Sequence, residues 1–175
     1  MDFASQNLAI GPLNASKPTV LKTIKVGTGP KDAIGFLNAV VSSKCHIGSW
    51  AKNMLGQRKI ASIAEREVDL IAVSATELGR PSGAPYEEIC ALGLGKGFRS
   101  CPEEVGPQLR LQYLEQPKRE RLRVVMTPIV TSDFCPRVFE VGHNEDGGLY
   151  LDGVEANPAT FCEAETRFLF ELPRR

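Results

Sequence analysis

Cys101-Pro-Glu-Glu-Val-Gly-Pro-Gln-Leu-Arg-Leu-Gln-Tyr113 is the densest concentration of special backbone residues, charges and apolar anchors in this chain. It separates two regimes of hydrophobic patterning, and the contrast between them decides the fold class. Upstream, the strongest period is that of a helix; downstream of Pro117 the period becomes two, that of a half-buried strand. Within the stretch, Pro102 suits the first turn of a helix and Glu103 and Glu104 complement its positive end. That helix can run through Leu111, or Gly106-Pro107 breaks it early. With an extended backbone beyond the break, Arg110 and Gln112 share the face opposite Leu109, Leu111 and Tyr113.

Working toward the N-terminus, Tyr86 to about Leu94 reads as a helix running into Gly93, Gly95 and Gly97, and Val68–Ser74 is a nearly continuous apolar run typical of a strand covered on both faces. Lys59–Ala64 is a further strand candidate, with Glu65-Arg66-Glu67 as the turn between the two. Ile47–Leu55 reads as a short helix capped by Ser49 and stopped by Gly56. Ala33, Ile34, Phe36, Leu37, Val40 and Val41 recur at spacings of three and four and give the clearest helix, with Asp32 at its N-terminus. Leu21–Val26 alternates as a strand does, and Gly27-Thr28-Gly29 ends it. Residues 1–19 show no clean period and are expected to form a flexible or irregular arm.

Working toward the C-terminus, Leu122–Val130, Arg137–Val141, Gly148–Asp152 and Arg167–Glu171 are four strand candidates. The link His143–Gly148 is a strong hairpin signal. The expectation is one α+β domain over residues 20–175, helix-rich over 20–116 and strand-rich over 117–175, with an N-terminal strand and helices packed on a C-terminal antiparallel β-meander.

A chain of 175 residues is long enough to bury a core without covalent staples. Twenty-one basic residues balance twenty-one acidic ones, so no global field draws it to nucleic acid or an anionic membrane. Cys45, Cys90, Cys101, Cys135 and Cys162 are scattered, odd in number and free of Cys-x-x-Cys spacing, which argues against a disulfide framework and a zinc knuckle. Reduced thiols, a cytoplasmic location and no membrane anchor are the expectation, and no cofactor or metal is implied.

Candidate sites were weighed on chemistry. Val26–Asp32 follows a strand and opens a helix, a geometry able to cradle phosphate, but Asp32 stands where a dinucleotide fingerprint needs glycine and Pro30 removes a donor. His143 with Cys101 or Cys135 would make a base and nucleophile, so a hydrolase or transferase using Cys101, Arg110 and His143 is one alternative. Asp69 and Glu77, with Glu115 and Lys118, only caricature a metal-dependent nuclease. Lys118-Arg-Glu-Arg-Leu-Arg123 is the one cationic concentration and allows weak nucleic-acid binding, diluted by Glu115 and Glu120.

Leu92 through Tyr113, with Pro117-Lys118 and Asp146–Gly153, resembles a family of small uncharacterised bacterial proteins sharing a Cys-Pro-x-Glu-Val-Gly-Pro-x-Leu-Arg-Leu-Gln-Tyr signature, and the resemblance extends over most of the chain from about Lys22, including Ile47-Gly-Ser-Trp-Ala51 and Glu67-Val-Asp-Leu70. The resemblance implies a bacterial origin and a self-contained fold, and it transfers no reaction. Glu104, Arg110, Gln112 and Tyr113 are the candidate binding residues, either lining a polar groove or bracing the two halves internally. The leading reading is a non-catalytic module that binds another protein, through a strand edge of the meander.

Overall fold

The computed structural model describes residues 18–57, 60 and 64–174. The expected arm falls almost wholly outside the described residues, as does most of the Lys59–Ala64 strand. The rest is α+β, with four helices and ten strands among the described residues.

The chain begins with β1 (Lys22–Val26), α1 (Ala33–Ser42), β2 (His46–Ile47), α2 (Ser49–Gln57) and β3 (Arg66–Ser74). Asp32 caps α1, its carboxylate accepting from the Gly35 amide at 2.7 Å. Phe36 and Val40 are buried, whereas Ile34 and Val41, expected on the same apolar face, are exposed. Arg66 and Glu67 belong to β3 rather than to a turn, because β1 pairs antiparallel with β3 as far as Val26 opposite Arg66.

The chain continues with β4 (Ala84–Pro85), α3 (Tyr86–Gly95), α4 (Val105–Gln112), β5 (Arg121–Val124) and β6 (Ile129–Val130). It closes with β7 (Pro136–Asn144), β8 (Gly148–Glu155), β9 (Phe161–Cys162) and β10 (Arg167–Leu172). One expected strand, Leu122–Val130, is split into β5 and β6 around Thr127-Pro128; a proline has no amide to continue a ladder. The β7–β8 hairpin forms over the expected link, with Asn144 opposite Gly148 and Gly148 at a positive φ of 79°.

The large sheet has the order β1-β3-β10-β5-β7-β8-β2, with β6 added on β7, while β4 and β9 form a separate pair. The expected meander holds from β5 to β8 and fails at β10. Instead of extending the sheet, β10 inserts between β3, to which it is antiparallel, and β5, to which it is parallel. Phe168 and Phe170 therefore face one side of the sheet, and Leu169 the other, with Val124 and Phe139. On the first side lies α3: Tyr86 packs on Phe168, and Gly93 is so close to the Phe170 ring that an added Cβ would sit 2.2 Å from it. On the other side lies α4. No helix among the described residues is long and apolar enough to cross a membrane.

Gly106-Pro107 does not break α4. Pro107 is the third helical residue, where a missing amide costs no intrahelical bond. Gly106 lets the helix descend onto the sheet, since a Cβ there would stand 2.5 Å from the Phe139 ring. Gly106→Ala is therefore expected to lower stability by about 1–3 kcal/mol, the usual cost of overpacking a core. A urea titration should show a lower midpoint with an unchanged slope.

Candidate functional site

Because α4 persists to Gln112, residues spaced by four share a face, and Glu104, Gln108 and Gln112 form a continuous polar spine. Gln108 Nε2 donates to Glu104 Oε1 at 2.8 Å, and Gln112 Nε2 donates to Gln108 Oε1 at 2.9 Å. The spine meets the edge of β1. The Gln112 amide pairs with both the N–H and the C=O of Lys25, at 2.9 and 2.8 Å. Gln108 donates to the Thr28 carbonyl, and both Glu104 oxygens accept from the Gly27 amide. The glycine turn that reads as a phosphate cradle thus already holds an anion, the fully buried Glu104 carboxylate. The edge of β1 is equally taken up. At the opposite edge, β8 carries β2 and accepts from the Gly48 amide at Leu151.

Arg110 projects from a different side of α4 than Gln112, since two helical residues are about 200° apart. The shared face expected for the pair does not exist. Arg110 is fully buried and held by neutral oxygens: Gln116 Oε1 at 2.7 Å, the Gly142 carbonyl at 3.0 Å, the Tyr150 carbonyl at 3.4 Å and the Tyr113 carbonyl. Burial pushes its pKa down, and Cys45 beside it acts the other way. Gln116 extends the clamp by donating to the Val141 carbonyl at 3.1 Å. Tyr113 is also buried, with Lys22 over its ring at 5.3 Å, and burial and Glu120 push its phenol up to about 12. Of the four candidate binding residues, Glu104, Arg110 and Tyr113 are buried and Gln112 is half-buried against β1.

The planar fork of Arg110 serves four acceptors at once, which a lysine ammonium cannot reproduce. Arg110→Lys is expected to cost about 2 kcal/mol or more, because buried carbonyls are left unsatisfied. Chemical denaturation monitored by circular dichroism measures it.

Cys101 and His143 are not brought together. The Cys101 thiol is buried against the Leu169 carbonyl, and its amide bonds Val125; the His143 amide bonds Glu120. Val125 and Glu120 are five residues apart along the β5 segment, roughly 16 Å. His143 Nδ1 is engaged with the Gln116 carbonyl at 2.6 Å. Burial drives the Cys101 thiol pKa far above its ordinary value, followed by the charge of Glu171. Thiolate is the nucleophilic form, so Cys101 should resist iodoacetamide in the native protein at pH 8 and react only on unfolding. Peptide mapping by mass spectrometry checks this. No group of three or more potential metal ligands occurs among the described residues.

Two features went unread in the sequence. The first is a concavity of about 670 Å³ at the end of the sheet where β5 and β10 begin, and it gathers the basic run into one place. Lys118, Arg119, Arg121, Arg123 and Arg167 line it together with Glu120, Glu140, Glu163 and Glu165. Its floor is neutralised internally: Arg123 pairs with Glu140 at 3.3 Å, Arg167 pairs with Glu120 at 3.2 Å, and the Tyr150 hydroxyl donates to Glu140 at 2.8 Å.

The second is the loop joining β6 to β7. Asp133 accepts from the Thr131 hydroxyl at 2.6 Å, from the Cys135 amide at 3.3 Å and from Arg137 at 2.9 Å. These contacts, the Thr131 hydroxyl first, hold the Asp133 carboxyl down at about 2. Arg137 in turn stacks on Trp50 at 3.7 Å, and Asn53 donates to Ser132 at 2.8 Å, tying the loop to α2. At the tip, Phe134 is 89% exposed with φ 61°. The sequence signal for it was available, an aromatic following Ser132-Asp133 in an otherwise polar link. No family model, curated protein or solved structure matches this chain.

Proposed function

We propose that the protein acts by binding another protein without catalysis, and that the Thr131–Cys135 loop carries the contact. The observation behind this reading is Phe134. A large aromatic in water loses the hydrophobic gain of burial, and a left-handed backbone at a non-glycine residue costs roughly 1–2 kcal/mol. Both penalties fall on one residue, in a loop held by side-chain hydrogen bonds and a cation–π stack. Such preorganisation is what lowers the entropic cost of an interface, and a rigid exposed aromatic is a common anchor at its centre. The loop is favoured over a strand edge because Gln112 already pairs with Lys25 on the edge of β1 and the edge strand β2 at the other end is only 2 residues long.

A photo-crosslinking phenylalanine analogue at position 134 should capture a discrete partner in cells, whereas the same analogue at exposed Ile34 should not. Phe134→Ala should then weaken that complex at least tenfold. Phe134→Gly should weaken it equally and unfold no earlier than wild type, because relief of the left-handed strain offsets the entropy glycine adds to the unfolded chain. Identical captures at positions 134 and 34, or full affinity in Phe134→Ala, would overturn the reading.

A further inference from the structure

The concavity between the β5 and β10 strand starts presents charges of a different kind from its floor. Among the described residues, the rim groups Lys118, Arg121 and Glu163 make no ion pair or side-chain hydrogen bond, while Arg119 pairs with Glu145 and Glu165 accepts from Thr76 at 2.9 Å. Lys118 and Arg121 come from the turn and strand on one wall, and Glu163 from the β9–β10 turn on the other. Glu165 keeps its charge, since a threonine hydroxyl is neutral, so the rim offers two cations, Lys118 and Arg121, and two anions, Glu163 and Glu165, without an ion-pair partner.

We propose that this cleft is a small-molecule site for a dipolar ligand. An oxyanion group, carboxylate or phosphate, is gripped by Arg121 and Lys118, and an amine on the same ligand faces Glu163. Three observations support this. Arg121 can meet an oxyanion with two parallel N–H donors, a geometry suited to both carboxylate and phosphate. The floor is already neutral, because Arg123 and Arg167 are paired with Glu140 and Glu120, so the floor arginines do not compete for the anion. The volume of about 670 Å³ lies in the range of small-molecule sites. The site is independent of the Phe134 loop.

Isothermal titration of the whole chain with O-phosphoserine, aspartate and inorganic phosphate at low salt tests the proposal. Saturable binding of phosphoserine or aspartate is expected, and the tighter of the two identifies the anion as phosphate or carboxylate. Arg121→Gln and Lys118→Gln should each weaken that binding at least fivefold, and raised salt should weaken it further. Glu163→Gln should weaken the amine-bearing ligand while leaving inorganic phosphate unaffected. All three side chains are at the rim, so circular dichroism should show an unchanged fold. Absence of saturable binding for all three probes, or unchanged affinity in Arg121→Gln, would sink the site. Phosphate binding as tightly as phosphoserine, with Glu163→Gln silent, would sink the dipolar assignment.

Discussion

The fold depends on how α4 disposes of its polar atoms. A helix carrying a glutamate, two glutamines and an arginine is an unfavourable object to bury, since each unpaired buried polar group costs a sizeable fraction of a domain's net stability. Here most of those groups have a destination, although Arg110 Nε is buried without a hydrogen-bond partner. Glu104, Gln108 and Gln112 replace the strand that the edge of β1 lacks, and Arg110 collects carbonyls from β7, β8 and the turn after the helix. The apolar remainder, Val105 and Leu109, is fully buried. One eight-residue helix thereby ties the N-terminal strand to the C-terminal hairpin, and it does so with hydrogen bonds whose geometry admits one register.

That arrangement also explains why the most unusual stretch of sequence is turned inward. The glycine turn after β1 and the acidic start of α4 look like two separate invitations to a ligand, but they satisfy each other. Gly27 adopts φ 75° beside Ala64, and its amide points at Glu104. The exposed charges and the exposed aromatic lie elsewhere, at the rim of the charged cleft and on the β6–β7 loop.

The sequence carried the local elements well and the long-range ones poorly, for reasons visible in particular residues. The helix over Ala33–Ser42 and the strands around Val68–Ser74, Arg137–Val141 and Gly148–Asp152 rest on short-range periodicity and were legible. The place of Arg167–Leu172 was not, because insertion between β3 and β5 is a property of partners far apart in the chain. Glu104, Arg110, Gln112 and Tyr113 stand out in the sequence, but their geometry turns on whether the helix runs through Leu111 or ends at Gly106-Pro107. Proline in a first turn and glycine under an aromatic ring are both compatible with continuation, and distinguishing the cases needs Phe139, 33 residues beyond Gly106. The charged cleft needs three segments at once, and no linear pattern announces it.

The position of β10 has a consequence for biosynthesis. It follows every other strand along the chain, yet it completes the middle of the sheet. While the polypeptide emerges from the ribosome, β3 and β5 are made early and wait, each with an unpaired edge facing the other across a gap. The hairpin of β7 and β8 can form as it is made, but the two halves of the sheet cannot join until β10 arrives. In that interval the nascent protein exposes two strand edges that only β10 pairs in the finished sheet.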